Sequence, residues 1–513
     1  MKPISEKGRI LDGQTVPVAI VHAGILCALV ITGTFVVHAT SQMPTKFFVA
    51  ACLALAVGTA LIALHRYSAA FSLFAFVVLG AFATQYRLLS QHNLLGSPYS
   101  QEGFAIGEPV IVLSDIPLVI FLGIAFFRVF QNKQAFPKWT GLDTAVAVFL
   151  AACALSLFNA QDYSLAFFEL ARYVKYALAY AALRILLRDR GAFGILVAAI
   201  AVSLAFEGLV AIAQYYFDVT VFSGGVSGLN SELSSGEMTL SRVTGSVGAS
   251  NTLGSWLVFP VALLTASLFS GINRRRKFFL AGALLMGFFA LVLTFSRGGW
   301  VGTTVSVAVV LVTMAFRKRL SAAHVAAMTG VLIAFCGVVL FLGLGPAIAA
   351  RLTNADSINA RYEYNEVGGM MFLDHPFFGA GLNNFRVESY HYDPTGLSSV
   401  FDAVPHNVFV LFASETGAFG LMCFVVIGLL LLWRAVALTK QPGDDKAFLV
   451  GSFSIAYLLG IAVSNMVDAT LRFEPLIVQA TLVAALVLSA GSWVSGPRDR
   501  KKESKLPVLG GFL

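Results

Sequence analysis

The sequence predicts an all-α, polytopic integral membrane protein with about 14 transmembrane helices and two long loops on one side of the bilayer. Three observations predict it. Hydrophobic residues make up 58% of the 513 and charged ones only 12%, with a mean hydropathy of +0.80; a soluble domain is about half apolar and about a quarter charged. The apolar residues come in continuous runs close to the ~20 needed to cross hydrocarbon as a helix, whereas the strands of a membrane barrel alternate polar and apolar. The Lys and Arg residues collect in short clusters between alternate runs, which is how cytoplasmic loops are marked.

The first run, Val16 to Val37, follows a polar head and is longer than the apolar core of about 7–15 residues in a signal peptide, so it is expected to remain as a helix. Spans are expected near 17–38, 47–64, 69–84, 109–127, 142–158, 165–187 and 192–214. A second set falls near 249–270, 278–295, 300–316, 323–348, 405–433, 447–465 and 474–492. The whole chain, 1–513, reads as a single transmembrane domain, with outer loops at 215–248 and 349–404 and a basic cytoplasmic tail at 493–513. The second loop is long enough for short helices, for instance around Tyr362 to Phe372.

Most of the 35 lysines and arginines lie on one side, including Arg274 to Lys277, Arg317 to Arg319 and the tail. That side is the cytoplasm by the positive-inside bias, and both termini lie there. The formal charge of +8 therefore belongs to membrane topology, since no basic stripe with interleaved aromatics points to nucleic acid. Cys27, Cys52, Cys153, Cys336 and Cys423 each sit inside an apolar run without CxxC spacing, and they read as small core residues.

The arginines on the other side are the exceptions that need a reason. Arg242 stands in SRVTGSVGASN and Arg297 in TFSRGGW, between two long runs with almost no loop. A guanidinium held at the membrane boundary forms bidentate bonds to phosphate, and two suit a pyrophosphate. The plainer account is that each snorkels to headgroups or caps a helix end. Gly298 and Gly299 allow a tight turn and close backbone approach, as any short hairpin requires.

His406 follows the longest outer loop in AVPHNVFVLFASETGAFG, with Pro405 suited to a first helical turn. Imidazole can accept or orient a hydroxyl proton there, although an interfacial histidine is commonly structural. No histidine pair has HxxxH spacing, so no metal and no cofactor is expected. Glu207 and Glu415 are intramembrane carboxylates and so functional suspects, or else hydrogen-bonded packing groups. Glu169 and Arg172, three apart, are expected to form a local ion pair.

SRVTGSVGASNTLGSWL, LTFSRGGWVG, ARYEYNEVGGMMFLDHPFFGAGLNNF and PHNVFVLFASETGAFGL together resemble the signatures of the O-antigen ligase and polymerase superfamily, over roughly Glu207 to Met422. The most specific part is the His-Asn pair, nine residues, then Gly417, two more and Gly420. The resemblance implies a glycosyltransferase-C-like, metal-independent enzyme of the bacterial inner membrane, acting at its periplasmic face. Its donor would be an undecaprenyl-pyrophosphate-linked glycan, and its acceptor a glycan or lipid A-core. It further implies that Arg242 and Arg297, and by a looser match Arg361, hold the donor pyrophosphate, and that His406 is catalytic. The rival class is a polysaccharide transporter or flippase. Carriers commonly show two related halves and broken midplane helices, whereas here the polar residues gather at one face.

Overall fold

The computed structural model describes residues 68–81, 85–87, 110–130, 137–217, 233–235, 238–240, 242–317, 320–321, 337, 340–353, 356–393 and 404–493. The spans expected near 17–38 and 47–64, most of the one near 323–348, much of the loop 215–248 and nearly all of the tail 493–513 lie outside these residues. The described helices are α1 (Ser68–Leu79), α2 (Asp115–Phe130), α3 (Gly141–Ser156), α4 (Tyr163–Leu186), α5 (Gly191–Phe217), α6 (Ser250–Trp256), α7 (Val258–Leu268) and α8 (Arg274–Leu293). They continue as α9 (Arg297–Phe316), α10 (Gly345–Thr353), α11 (Asp356–Asp374), α12 (Phe385–Ser389), α13 (Val408–Thr439), α14 (Asp445–Asn465) and α15 (Glu474–Ser492). Two antiparallel ribbons, Gln85–Arg87 with Val110–Val112 and Leu233–Ser235 with Met238–Leu240, are the only strands among the described residues. Among the described residues, eight helical stretches are long and apolar enough to cross a membrane, with α6 and α7 counting as one. The chain is a multi-pass membrane protein.

Short polar residues set where the helices begin. The Asp162 side chain accepts from the Ser164 and Leu165 amides, Ser296 from Gly299, Asn407 from Phe409 and Val410, and Asp444 from Lys446 and Ala447. Each satisfies amides that have no partner in a helix's first turn. The α6–α7 span is interrupted at Leu257 because Pro260 has no N–H to return to the Trp256 carbonyl. The Gln479 side chain supplies the missing donor, at 2.8 Å.

Packing uses small residues, as expected where lipid offers no hydrophobic contrast between helices. A Cβ on Gly302 of α9 would lie 2.7 Å from the Gly460 carbonyl oxygen of α14, and one on Gly460 2.5 Å from that of Gly302. The α5–α8 pair closes in the same way, Gly208 against Met286 and Gly287 against Leu204. At one end of the bundle basic residues act as clasps. Arg184 pairs with Asp143, Arg190 with Asp444 at 2.7 Å, and Arg317 donates to the Thr439 and Gln441 carbonyls. The candidate site lies at the other end.

Candidate functional site

The segment from Arg242 to Val247 is non-helical yet buried among helices. Its amides need partners there, because lipid offers none. Gln214 of α5 accepts from the Thr244 and Gly245 amides at 3.1 and 2.8 Å. Glu207, about 15 Å below the end of α5 at 1.5 Å per residue, accepts from the Ser246 amide at 3.0 Å and from its hydroxyl. Gly245 has φ +60, and a Cβ on it would lie 2.3 Å from the Glu207 carboxylate. This turn fixes Arg242, whose Nε donates to the Thr294 carbonyl at 2.9 Å and Nη2 to Asn251 at 2.6 Å. Arg242 is therefore a clamped, buried cation rather than a snorkelling one.

Arg297 is the first residue of α9, at the positive end of that helix. The turn before it is made by Phe295, buried and at φ +47, a conformation that non-glycine residues seldom hold. Its carbonyl accepts from Nε of Arg351 at 2.9 Å. Gly298 and Gly299 do not make the turn; they lie in the first turn of α9, where Gly299 lets Gly254 of α6 approach to 2.7 Å of a would-be Cβ.

Arg361 of α11 donates to the Val467 carbonyl at 2.8 Å. The neighbouring Asp468 carboxylate lies 3.3 Å from Nδ1 of His406 and accepts from the Ala469 amide at 3.0 Å. The Tyr364 ring stands 6.5 Å from the imidazole. His406 precedes the helix: α13 begins at Val408 with Asn407 as its cap, so Pro405 lies before the first turn.

These side chains share one electrostatic environment. Burial, then the charges of Arg242, Arg297 and Arg361, push the Arg351 guanidinium down to about 9, against the pull of Asp468. Burial likewise pushes Arg242 down to about 10, with Arg361 and Arg297 adding to it and Asp468 opposing. Burial raises the Asp468 carboxyl, but the His406 hydrogen bond and charge, Arg361 and the Ala469 amide outweigh it and hold it below the usual value. Arg242, Arg351 and Arg361 thus share the field of Asp468, Arg297 adds its charge to theirs, and guanidinium stays protonated at neutral pH. A polyvalent anion relieves that repulsion. Inorganic pyrophosphate is expected to raise the thermal midpoint of the detergent-solubilised protein, by an amount equivalent to about 2.7 kcal/mol at 100 times its Kd. The shift should shrink with added salt and in Arg351→Ala; a shift of equal size in that variant would argue against the cluster as the binding site.

The structure thus brings Arg242, Arg297, Arg361 and His406 together and adds Arg351 and Asp468, which sequence reasoning did not place in the site. Arg351 carried the same signal as the others, a positive charge on the wrong side. Asp468 lies in NMVDATL, and only its position just past the end of an apolar run could have marked it. The remaining motif residues are scaffold. Gly417 breaks α13 with φ +66 and ψ −172. The HPFFGAG stretch fills the gap: Ala380 and Gly381 amides donate to Ser414 and Glu415 carbonyls, and Ala418 and Phe419 amides to those of Pro376 and Phe377. Asn384 then ties the loop to Asp162. Glu169 pairs with Arg172 as expected.

Residues 281–425 match the model of the O-antigen ligase family. That stretch carries Arg297, Arg351, Arg361 and His406, together with the Gly417 break. No curated protein matches the chain.

Proposed function

We propose, from the O-antigen ligase match and the arginine cluster together, that this protein transfers or polymerises an undecaprenyl-pyrophosphate-linked glycan. The reaction takes place at the periplasmic face of the bacterial inner membrane. The observation that carries this reading is the group of four mutually coupled guanidiniums, Arg242, Arg297, Arg351 and Arg361, beside the His406–Asp468 pair. About fourteen spans with both termini cytoplasmic would set the site end outward; the basic clasps at the opposite end support that direction.

The mechanism follows from the residues. Asp468 accepts the Nδ1 proton of His406, which leaves Nε2 as the acceptor for a proton from the attacking sugar hydroxyl. The hydroxyl oxygen forms a bond to the anomeric carbon of the donor as the bond from that carbon to the phosphate oxygen breaks. The electron pair leaves with undecaprenyl pyrophosphate, and Arg242, Arg297, Arg351 and Arg361 meet the growing charge. Cations fixed in advance stabilise that charge more in the transition state than in the ground state, which is what lowers the barrier. On this reading the guanidiniums take the place of a metal.

Surface polysaccharide from a strain lacking the gene tests the proposal. Loss of all lipid A-attached glycan marks a ligase, one-repeat products mark a polymerase, and an unaltered profile rejects both. In the complemented strain Arg297→Ala is expected to lower transfer by about 10²–10³-fold with insertion and expression unchanged; full activity would exclude its role.

A further inference from the structure

The geometry points to Glu415 and Arg472 as a positioning pair that holds His406 and Asp468 in register, an inference that rests on the reading of His406 as the proton acceptor. Glu415 lies in the half of α13 that precedes the break at Gly417. This half, 408–416, carries His406 at its head, and the break uncouples it from the direction of the long span that follows. Its lower end is held from the side by the Ala380 and Gly381 amides, on the Ser414 and Glu415 carbonyls. Asp468 has a separate origin, in the link between α14 and the 3-10 turn Thr470–Arg472. That turn is tied back to the end of α14 by Asn465, whose side-chain oxygen accepts from the Leu471 amide at 2.8 Å and the Thr470 hydroxyl at 3.2 Å.

One buried ion pair joins the two. Nη1 of Arg472 donates to Oε1 of Glu415 at 3.2 Å, with both side chains almost fully enclosed. The same carboxylate oxygen accepts from the Phe385 amide at 3.4 Å, which brings in the loop after HPFFGAG. Helix packing alone requires no carboxylate at this buried place, and an ion pair so enclosed is weak evidence for stability as such. What it supplies is a fixed distance between the element bearing the base and the element bearing its partner. The His406–Asp468 contact, at 3.3 Å, is at the loose end of hydrogen bonding, so a small slip of either element would break it.

The test uses the full-length protein in proteoliposomes with a lipid-pyrophosphate-linked glycan donor. Glu415→Gln is expected to lower kcat by about 10²-fold, as a misplacement near 1 Å does, with the donor KM little changed. Arg472→Lys, which keeps the charge, should cost only part of that loss and serves in its place should Glu415→Gln not be obtained in folded form. In an Asp468→Asn background the same changes should cost nothing further, because they act through that residue. Losses that simply add, or a kcat loss matched by weaker donor binding, overturn the proposal. A second readout does not depend on transfer: the rate at which diethyl pyrocarbonate modifies His406, followed by mass spectrometry. Glu415→Gln should change that rate severalfold even if His406 proves not to be catalytic, and an unchanged rate also overturns the proposal.

Discussion

Asp468→Asn is expected to lower glycan transfer by about 10²–10⁴-fold, the span that a positioned acid–base group contributes, and His406→Ala to match or exceed it. Asparagine keeps the shape of the side chain, but it can present its amide N–H₂ to Nδ1 of His406, which then becomes an acceptor and moves the ring proton to Nε2. The nitrogen needed as base is then occupied. Donor binding should survive in both variants, since Arg242 and Arg351 are anchored on the Thr294 and Phe295 carbonyls rather than on the imidazole. Transfer assayed alongside pyrophosphate binding on the same preparations checks this; loss of both together would make Asp468 a structural residue. The pH dependence has a definite sign. The folded-state pKa of Asp468 is depressed, so its stabilising contribution is complete above the ordinary carboxylate range and is lost only as pH falls through the lower, folded value.

The second large effect concerns the fold. Gly417→Ala places an L-residue at φ +66 and ψ −172, a region essentially reserved to glycine, at about 1–3 kcal/mol for the backbone alone. The new Cβ would also lie 2.3 Å from the Phe377 carbonyl carbon, so the loop that completes the broken helix must be displaced, and the two costs combine. We expect little folded protein, with a sharply lower thermal midpoint in detergent. Gly428→Ala, in the same helix with nothing within 4 Å of its would-be Cβ, is the control, and should be neutral or slightly stabilising by about 0.5–1 kcal/mol. Equal midpoints for the two variants would mean that the break is not required.

The helical framework was largely legible in the sequence because hydrophobic run length is a strong signal in a membrane protein. The last helix begins and ends where its apolar run does, at Glu474 and Ser492. The misplaced boundaries have local causes. Residue 300 was expected to open α9, but Ser296 caps the helix and moves its start back to Arg297. The start expected at 405 moves forward to Val408 because Asn407 is the cap. Both starts are set by a capping side chain, Ser296 or Asn407, which run length and nearby glycine or proline do not mark.

The candidate site was legible in part, for a different reason. Arg242, Arg297 and Arg361 drew notice as charges that break a topological rule, and His406 as a titratable group at the boundary. Arg351 broke the same rule but sat in no motif. Asp468 broke none, since a carboxylate outside the membrane is unremarkable, and only the fold brings it to His406. Conversely, Glu207 and Glu415 attracted suspicion as buried acids, and the hydrogen bonds of Glu207 to Ser246 identify it as a brace for the Arg242 turn.

The interrupted α6–α7 span has a consequence for how such an enzyme can place polar groups at all. It is the least apolar of the eight candidate spans among the described residues, and 89% of it is buried inside the protein. Surrounded by other helices, it meets protein where its neighbours meet acyl chains, so Asn251, Thr252 and Ser255 incur no solvation penalty from the bilayer. The residue that grips Arg242 is therefore carried on the strut shielded from the membrane, while the outer helices keep the greasy exterior that insertion demands.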